Sequence, residues 1–391
     1  MSKIKNIEGR PILDSRGDWT IEVSLALQDG VIAKAAIPQG KSRGSSEAIF
    51  LPPQKAIQKI KSLSKIFHGF DVFNQEKIDQ TLIKLDGTRS KSKLGGNTTL
   101  GISLAAAKAA AKSKNVYLWK YFRDLSGLSI IPNSRPRLLA NLVNGGLHAG
   151  NNLDFQEYLV IPKSQNFSSA IEKIVKIYNR LRDSLNEKFG PGSTSVGDEG
   201  GFAPDFKNNS EPFEMISLVL KNLKLSAEVN LGLDAAASNI KKISPDDLFG
   251  IYLNFINDFN FLFLEDLFNE NDFKNFAKFK AEAKKNLWIV GDDLTTTNVS
   301  LIEKAEAAKA INAIVIKPNQ IGTITETLEA IKKSRNYDWK VIVSHRSGET
   351  NDDFIADLAV GVGADGLKLG APARGERIAK YNRLLEIESE K

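Results

Sequence analysis

The sequence has no cysteine in 391 residues. Disulfides, zinc–thiolate sites and cysteine nucleophiles are therefore excluded, and a reducing compartment fits. It also lacks an apolar leader: "MSKIKNIEGRPIL" has no h-region, so no secretory signal is expected, and the expected location is the cytoplasm. It lacks a long hydrophobic run. The least polar stretch, "LGISLAAAKAAAK", is broken by lysines, so no membrane span is expected. Histidine is scarce, with only three. What is there is 42% apolar residues, enough for a sizeable core and two domains. Lysine and arginine outnumber the acids, for a net charge of +6. That excess reads either as a solvated lysine-rich surface or as attraction for an anionic substrate or nucleic acid. No nucleic-acid motif supports the last, so nucleic acid is not expected as the primary partner.

Residues 1–34 read as strands: "WTIEVSLAL" alternates, and "QDG" turns the chain into "VIAKAAI". "PQGKSRGSSE", residues 38–47, is rich in Gly and Ser and reads as a mobile loop. Helices are expected over 54–66 and 74–85, and over "GGNTTLGISLAAAKAAAKS" with Asn97 as a candidate cap. A domain boundary falls in "LSIIPNSRPR", dividing the chain into 1–128 and 129–391.

A new rhythm begins beyond residue 136. Apolar runs end in a polar group and are followed by a helical stretch. They include "LLANLVN", "FQEYLVI", and runs reaching Asp234, Glu265, Asp292, Lys317, His345 and Lys368. From Asp234 onward these ends recur every 23 to 31 residues, the length of a strand-plus-helix unit. Val/Ile/Leu strands alternating with helices indicate a parallel sheet. The number of units favours a (β/α)8 barrel, whose working residues sit at the C-terminal strand ends.

Asp234, Glu265 and Asp292 then come from three successive strand ends. Either they converge, and their repulsion calls for a hard divalent cation such as Mg²⁺, or they are separate acids capping the following helices. Lys317 and Lys368 also end strands. A lysine with its stem packed in a barrel, near a metal and another lysine, is expected to have a lowered pKa and is a candidate base. Arg346 and Ser347 suit an anion such as phosphate. His148 and His345 lie on polar, glycine-containing turns, and His68 reads as a surface residue. In "VGDEGG" the paired glycines would let backbone approach a ligand and present Glu199, or form only a tight turn. Five candidate acids (Glu157, Glu199, Asp234, Glu265, Asp292) face two lysines and one arginine, so more than one divalent cation is expected. Such a site suits removal of a proton beside a carboxylate, with an enolate stabilised by metal.

Eleven stretches, among them "NGGLHAG", "VGDEGGFAP", "FLEDLF", "IKPNQIGTITET" and "VSHRSGETNDDFIADLAVG", run in order over nearly the whole chain and resemble the enolase family. The resemblance implies an N-terminal α+β domain with a lid loop at 38–47, followed by a barrel whose first strands are not all parallel. It implies that Asp234, Glu265 and Asp292 hold a first Mg²⁺ and that Ser42 helps hold a second arriving with substrate. Lys317 would take the C2 proton of 2-phosphoglycerate. Glu199, supported by Glu157, would protonate the leaving hydroxyl to give phosphoenolpyruvate. Lys368, with Gln156 nearby, would bind the carboxylate, Arg346 and Ser347 the phosphate, and His148 and His345 would close over the substrate.

The sequence departs from the family in its lid, which carries Gln39, Lys41 and Arg43. It also has Asp18-Trp19 where Asn-Pro is usual, and a shorter stretch between Ser238 and Asn260. The family's homodimer is expected, with Arg10 and Glu376 suited to an ion pair between copies, but Glu22 would meet Glu386 where an arginine is usual. Two other readings remain: a superfamily relative acting on another carboxylate acid, and a non-catalytic scaffold or surface receptor.

Overall fold

The computed structural model describes residues 2–41, 44–128 and 135–390. Strands β1 (Ile4–Leu13), β2 (Trp19–Leu27) and β3 (Ile32–Ala36) form an antiparallel sheet in that order. Gly30, at φ +90°, closes the turn that "QDG" predicts. Helices Pro53–Phe67, Gln75–Asp86, Gly96–Ser113 and Leu118–Ser126 follow. The alanine-rich third helix lies against the sheet. A Cβ at Gly101 would come within 2.4 Å of the Val23 side chain, so glycine there sets the closeness of packing. Asn97 is not that helix's cap: Gly95 is, and the Asn97 side chain instead bonds both polar backbone groups of Leu51. His68 is exposed at the end of the first helix, as expected. The division at residue 128 falls at the edge of residues 129–134, which lie outside the described set.

The rest of the chain is a closed eight-stranded barrel of β4 (Arg137–Asn144), β5 (Glu157–Pro162), β6 (Val229–Asp234), β7 (Phe261–Glu265), β8 (Trp288–Gly291), β9 (Ala313–Ile316), β10 (Lys340–Ser344) and β11 (Gly366–Lys368), with β11 pairing back to β4. β5 runs antiparallel to both neighbours and every other pair is parallel. This is the irregular start that the family resemblance implies, and it replaces the simpler eight-unit reading. The physical reason is connection length: the segment from Gly145 to Gln156 holds no crossover helix, only a short 3₁₀ turn.

The strands alternate. Leu139, Leu159, Ile161, Phe263, Val290, Val315 and Ile342 fill the barrel interior. Their neighbours Leu138, Leu264, Ile289, Ile316, Val341 and Leu367 belong to the larger core shared with the helices. Extending the inward parity to the strand ends points Glu265, Asp292, Lys317 and Ser344 to the same side as Phe263, Val290, Val315 and Ile342. Because β5 is reversed, its first residue, Glu157, pairs in register with Asp234, the last residue of β6, and Asp234 pairs with Glu265.

Candidate active site

The inward strand ends converge on one polar cavity. Its lining includes Glu47, His148, Gln156, Glu157, Glu199, Asp292, Lys317, His345, Arg346, Ser347 and Lys368. Asp234 and Glu265 are joined to it through Lys368. The Lys368 Nζ is 2.7 Å from Glu265, 3.0 Å from Glu157 and 3.1 Å from Asp234. Burial disfavours the ammonium, but Asp234, Glu157 and Glu265 outweigh it and hold Lys368 well above its usual range.

Lys317 forms a short ion pair with Asp292. Its backbone N–H donates to the Thr297 hydroxyl at 3.0 Å, and that hydroxyl donates to Gln320 at 2.7 Å. Thr297 holds a left-handed φ of +55°, costly for a β-branched residue, and these two bonds keep it there. The expected lowering of Lys317 concerns the lysine beside a metal; in the metal-free pair with Asp292 the direction is the opposite. Burial does lower it, but contact with the Asp292 carboxylate raises it further, above the ordinary lysine value.

Oxygen atoms of Glu265, Asp266 and Asp292 lie within 4.8 Å of one another. All three are buried, and Glu265 Oε1 has no hydrogen-bond partner. Burial and the Asp234 charge push Glu265 up to about 8. Compact, oxygen-only and strained by like charge, this donor set fits a hard divalent cation; Asp234, expected in it, is not part of this compact group and instead meets Lys368 and Gln156. Asp266 was not foreseen. Its carboxylate accepts the backbone N–H groups of Asp292 and Asp293 at 3.0 and 2.8 Å, fixing the turn that presents Asp292. The signal was the second acid in "LED". Ser42 and Arg43 lie outside the described residues.

Across the cavity, His148, Glu157 and Glu199 form a second cluster within 4.8 Å. Asn141, also unforeseen, donates to Glu199 Oε2 at 3.0 Å. Burial and the Glu199 charge push Glu157 well up. Burial raises Glu199 too, while the charges of Arg377 and Lys368 lower it. Two buried carboxylates this close share a proton as a pair. Gln156 donates to Asp234 at 3.3 Å, and its carbonyl oxygen is unpartnered.

The glycines of "VGDEGG" make room for the protein's own backbone. A Cβ at Gly197 would meet His148 O at 2.6 Å, and one at Gly201 would meet Asn144 Oδ1 at 2.8 Å. They fix where Glu199 stands by packing its loop onto the end of β4.

Residues 38–41 and 44–47, the described parts of the 38–47 loop, lie on the barrel mouth. Gln39 and Gly348 exchange backbone bonds at 2.8 and 3.1 Å, and the Lys41 N–H donates to Ser347 Oγ at 2.7 Å. At its far end Glu47 takes both prongs of the Arg346 guanidinium, at 2.9 and 3.1 Å. Asn319 accepts from Arg346 as well, at 3.0 Å. Glu47 was missed because it reads as one more polar loop residue. Among the described residues no helix is long and apolar enough to cross a membrane.

Comparison with known proteins agrees over both parts of the chain. The family model for the enolase N-terminal domain matches residues 4–122, and that for the enolase C-terminal TIM barrel domain matches residues 133–391. The enolase of Sulfurisphaera tokodaii is 42% identical over 99% of this chain and 96% of its own length. That of Solanum lycopersicum is 39% identical, and that of Methanopyrus kandleri 40%, each over 100% of this chain and 96% of the relative.

Proposed function

The chain belongs to the enolase family and is a lyase, a phosphopyruvate hydratase; on that premise we propose that it interconverts 2-phosphoglycerate and phosphoenolpyruvate with Lys317 as base and Glu199 as acid. The observation that carries this reading is the meeting of Lys317, Lys368, Glu199, His345, Arg346 and Ser347 on one cavity at the barrel mouth. Arg346 and Ser347 hold the phosphate, and Lys368 takes the substrate carboxylate with Gln156 beside it. Lys317 removes the proton from C2. Glu199 passes the proton it shares with Glu157 to the C3 hydroxyl, which leaves as water.

Asp234, Glu265 and Asp292 are the residues that would hold Mg²⁺, with Asp266 fixing the turn of Asp292. When bound, divalent cations would supply positive charge to stabilise an enolate bearing a second negative charge. The reading includes a second Mg²⁺ arriving with substrate and held in part by Ser42. That residue follows Lys41, whose N–H reaches Ser347. It includes a cytoplasmic location, with which a cysteine-free chain is in keeping. It also includes a homodimer, for which exposed Leu13 and Trp19 near Arg10 and Glu22 offer apolar surface. Within one chain Arg10 pairs with Glu22 at 2.7 Å and Glu376 with Arg374 at 2.9 Å, so both charges of the expected contact between copies already have partners.

The roles separate by exchange of the C2 hydrogen of 2-phosphoglycerate with deuterium oxide. Glu199→Gln should retain exchange while losing dehydration, and Lys317→Ala should lose both. Exchange that survives in Lys317→Ala would remove Lys317 as the base.

A further inference from the structure

Arg377 is wholly buried on the last helix, Gly375–Ser389, and no role in the reaction has so far been given to it. Its Nη1 lies 2.6 Å from Nδ1 of His345. A guanidinium has only donors, so Nδ1 must be the accepting nitrogen. A neutral ring accepting at Nδ1 carries its proton on Nε2. That atom is buried and has no hydrogen-bond partner, and its charged neighbour is Glu199 Oε1 at 3.6 Å. An unsatisfied donor on a residue lining the cavity is where a substrate oxygen or the acid itself would be met.

The remaining contacts of Arg377 are as specific. Nη1 also donates to Arg346 O at 2.6 Å, and Nη2 donates to Asp198 O at 3.0 Å and to Ser347 O at 2.7 Å. One side chain thus ties the segment that carries Glu199 to the segment that carries Arg346 and Ser347. Gly370, at φ +80°, makes room for the pair: a Cβ there would stand 3.0 Å from Arg377 Cδ and 3.1 Å from His345 Cε1.

We propose that Arg377 is a positioning residue: it fixes His345 as a neutral imidazole with its proton on Nε2, directed to the cavity, and holds the Glu199 and Arg346 segments in register. The charged groups around His345 agree. Burial, Arg377, Lys368 and Lys317 all disfavour an imidazolium and outweigh Glu199, which favours one, so His345 is held well below the ordinary imidazole range. The consequence for turnover rests on the function proposed above, but the tautomer does not.

The test is nitrogen-15 NMR of the full chain labelled at histidine, where three residues give three ring systems, with His345→Asn to assign the signal. His345 should show an acceptor-type Nδ1 and a protonated Nε2, unchanged across pH of about 5.5 to 8.5. Arg377→Met should mix the tautomers or bring the ring's titration into that range. It should also lower kcat by about a hundredfold and add an acidic limb to the kcat/KM profile. Arg377→Lys, which keeps a donor, should restore the Nε2–H form. A wild-type ring protonated on Nδ1, or titrating within this range, would overturn the proposal even if Arg377→Met failed to fold. So would Arg377→Met with tautomer and pH profile unchanged. A protein with the expected tautomer but no turnover would count against the function and leave this inference standing.

Discussion

The ammonium of Lys368 lies 2.7 Å from Glu265 and 3.1 Å from Asp234, so a lysine stands as the counter-charge among the carboxylates read as metal ligands. Removing it would leave three buried acids facing one another. Lys368→Met should destabilise the metal-free protein by about 3–5 kcal/mol, the usual cost of breaking a buried pair. Mg²⁺ should restore more stability to the variant than it adds to the wild type. Denaturant titrations with EDTA and with Mg²⁺ measure both.

Arg346 meets Glu47 through two parallel bonds, and the same fork suits a phosphate. Lysine keeps the charge and loses the fork. Arg346→Lys should raise KM for 2-phosphoglycerate by roughly ten- to a hundredfold, the equivalent of about 1.5–3 kcal/mol for a charged hydrogen bond. Steady-state kinetics on protein with an unchanged circular dichroism spectrum checks this.

The lid cations act through a long-range field if they act at all. Lys41 Nζ is 3.5 Å from Asp198, with its side chain half exposed, so that pair contributes no more than about 1 kcal/mol. Lys41→Ala with Arg43→Thr should raise KM a few-fold at low ionic strength and converge with wild type near 0.5 M salt, roughly where screening is complete. A KM and salt dependence equal to wild type would show both charges to be solvated loop groups.

Far from the site, burial pushes Asp79 up to about 6 from an ordinary 3.8, although Gln75, Ser103 and Thr325 hydrogen-bond to it. An acid whose folded pKa is raised stabilises the fold only while protonated. Its cost therefore appears as pH rises from about 4 to 6 and stays constant above, at about 3 kcal/mol for a shift of two units. Asp79→Asn should gain stability relative to wild type at pH 7 compared with pH 4. Urea unfolding at the two pH values gives the difference, and no change in that difference would rule out the burial argument.

Much of this was legible in the residues. The polar groups at the ends of β6 to β11 could be placed because a two-residue period carries the core-facing side to the strand end, where Glu265, Lys317 and Lys368 stand. Helices, by contrast, deliver Arg377 from a sequence stretch with no motif of its own spacing. A loop turn delivers Glu47 and the one-turn helix Pro318–Ile321 delivers Gln320, and no period links those residues to the strands they serve. Sequence spacing also carries no information about contact, so the Asp292 carboxylate beside Lys317 was not legible in it. Residues 112–123 interleave cations and aromatics. In the fold Lys114, Lys120 and Arg123 lie over the rings of Tyr121, Tyr117 and Trp119 in the same segment, at 5.4, 5.2 and 5.0 Å, so these cations already have local partners.

The most direct measurement is turnover itself: 2-phosphoglycerate with Mg²⁺, followed by ultraviolet absorbance of the enol product, for wild type and Lys317→Ala, each with and without EDTA. The account predicts product from wild type that EDTA abolishes, and a loss of at least about 10²–10⁴-fold in the folded variant. Turnover that persists in Lys317→Ala, or that ignores the chelator, would contradict it.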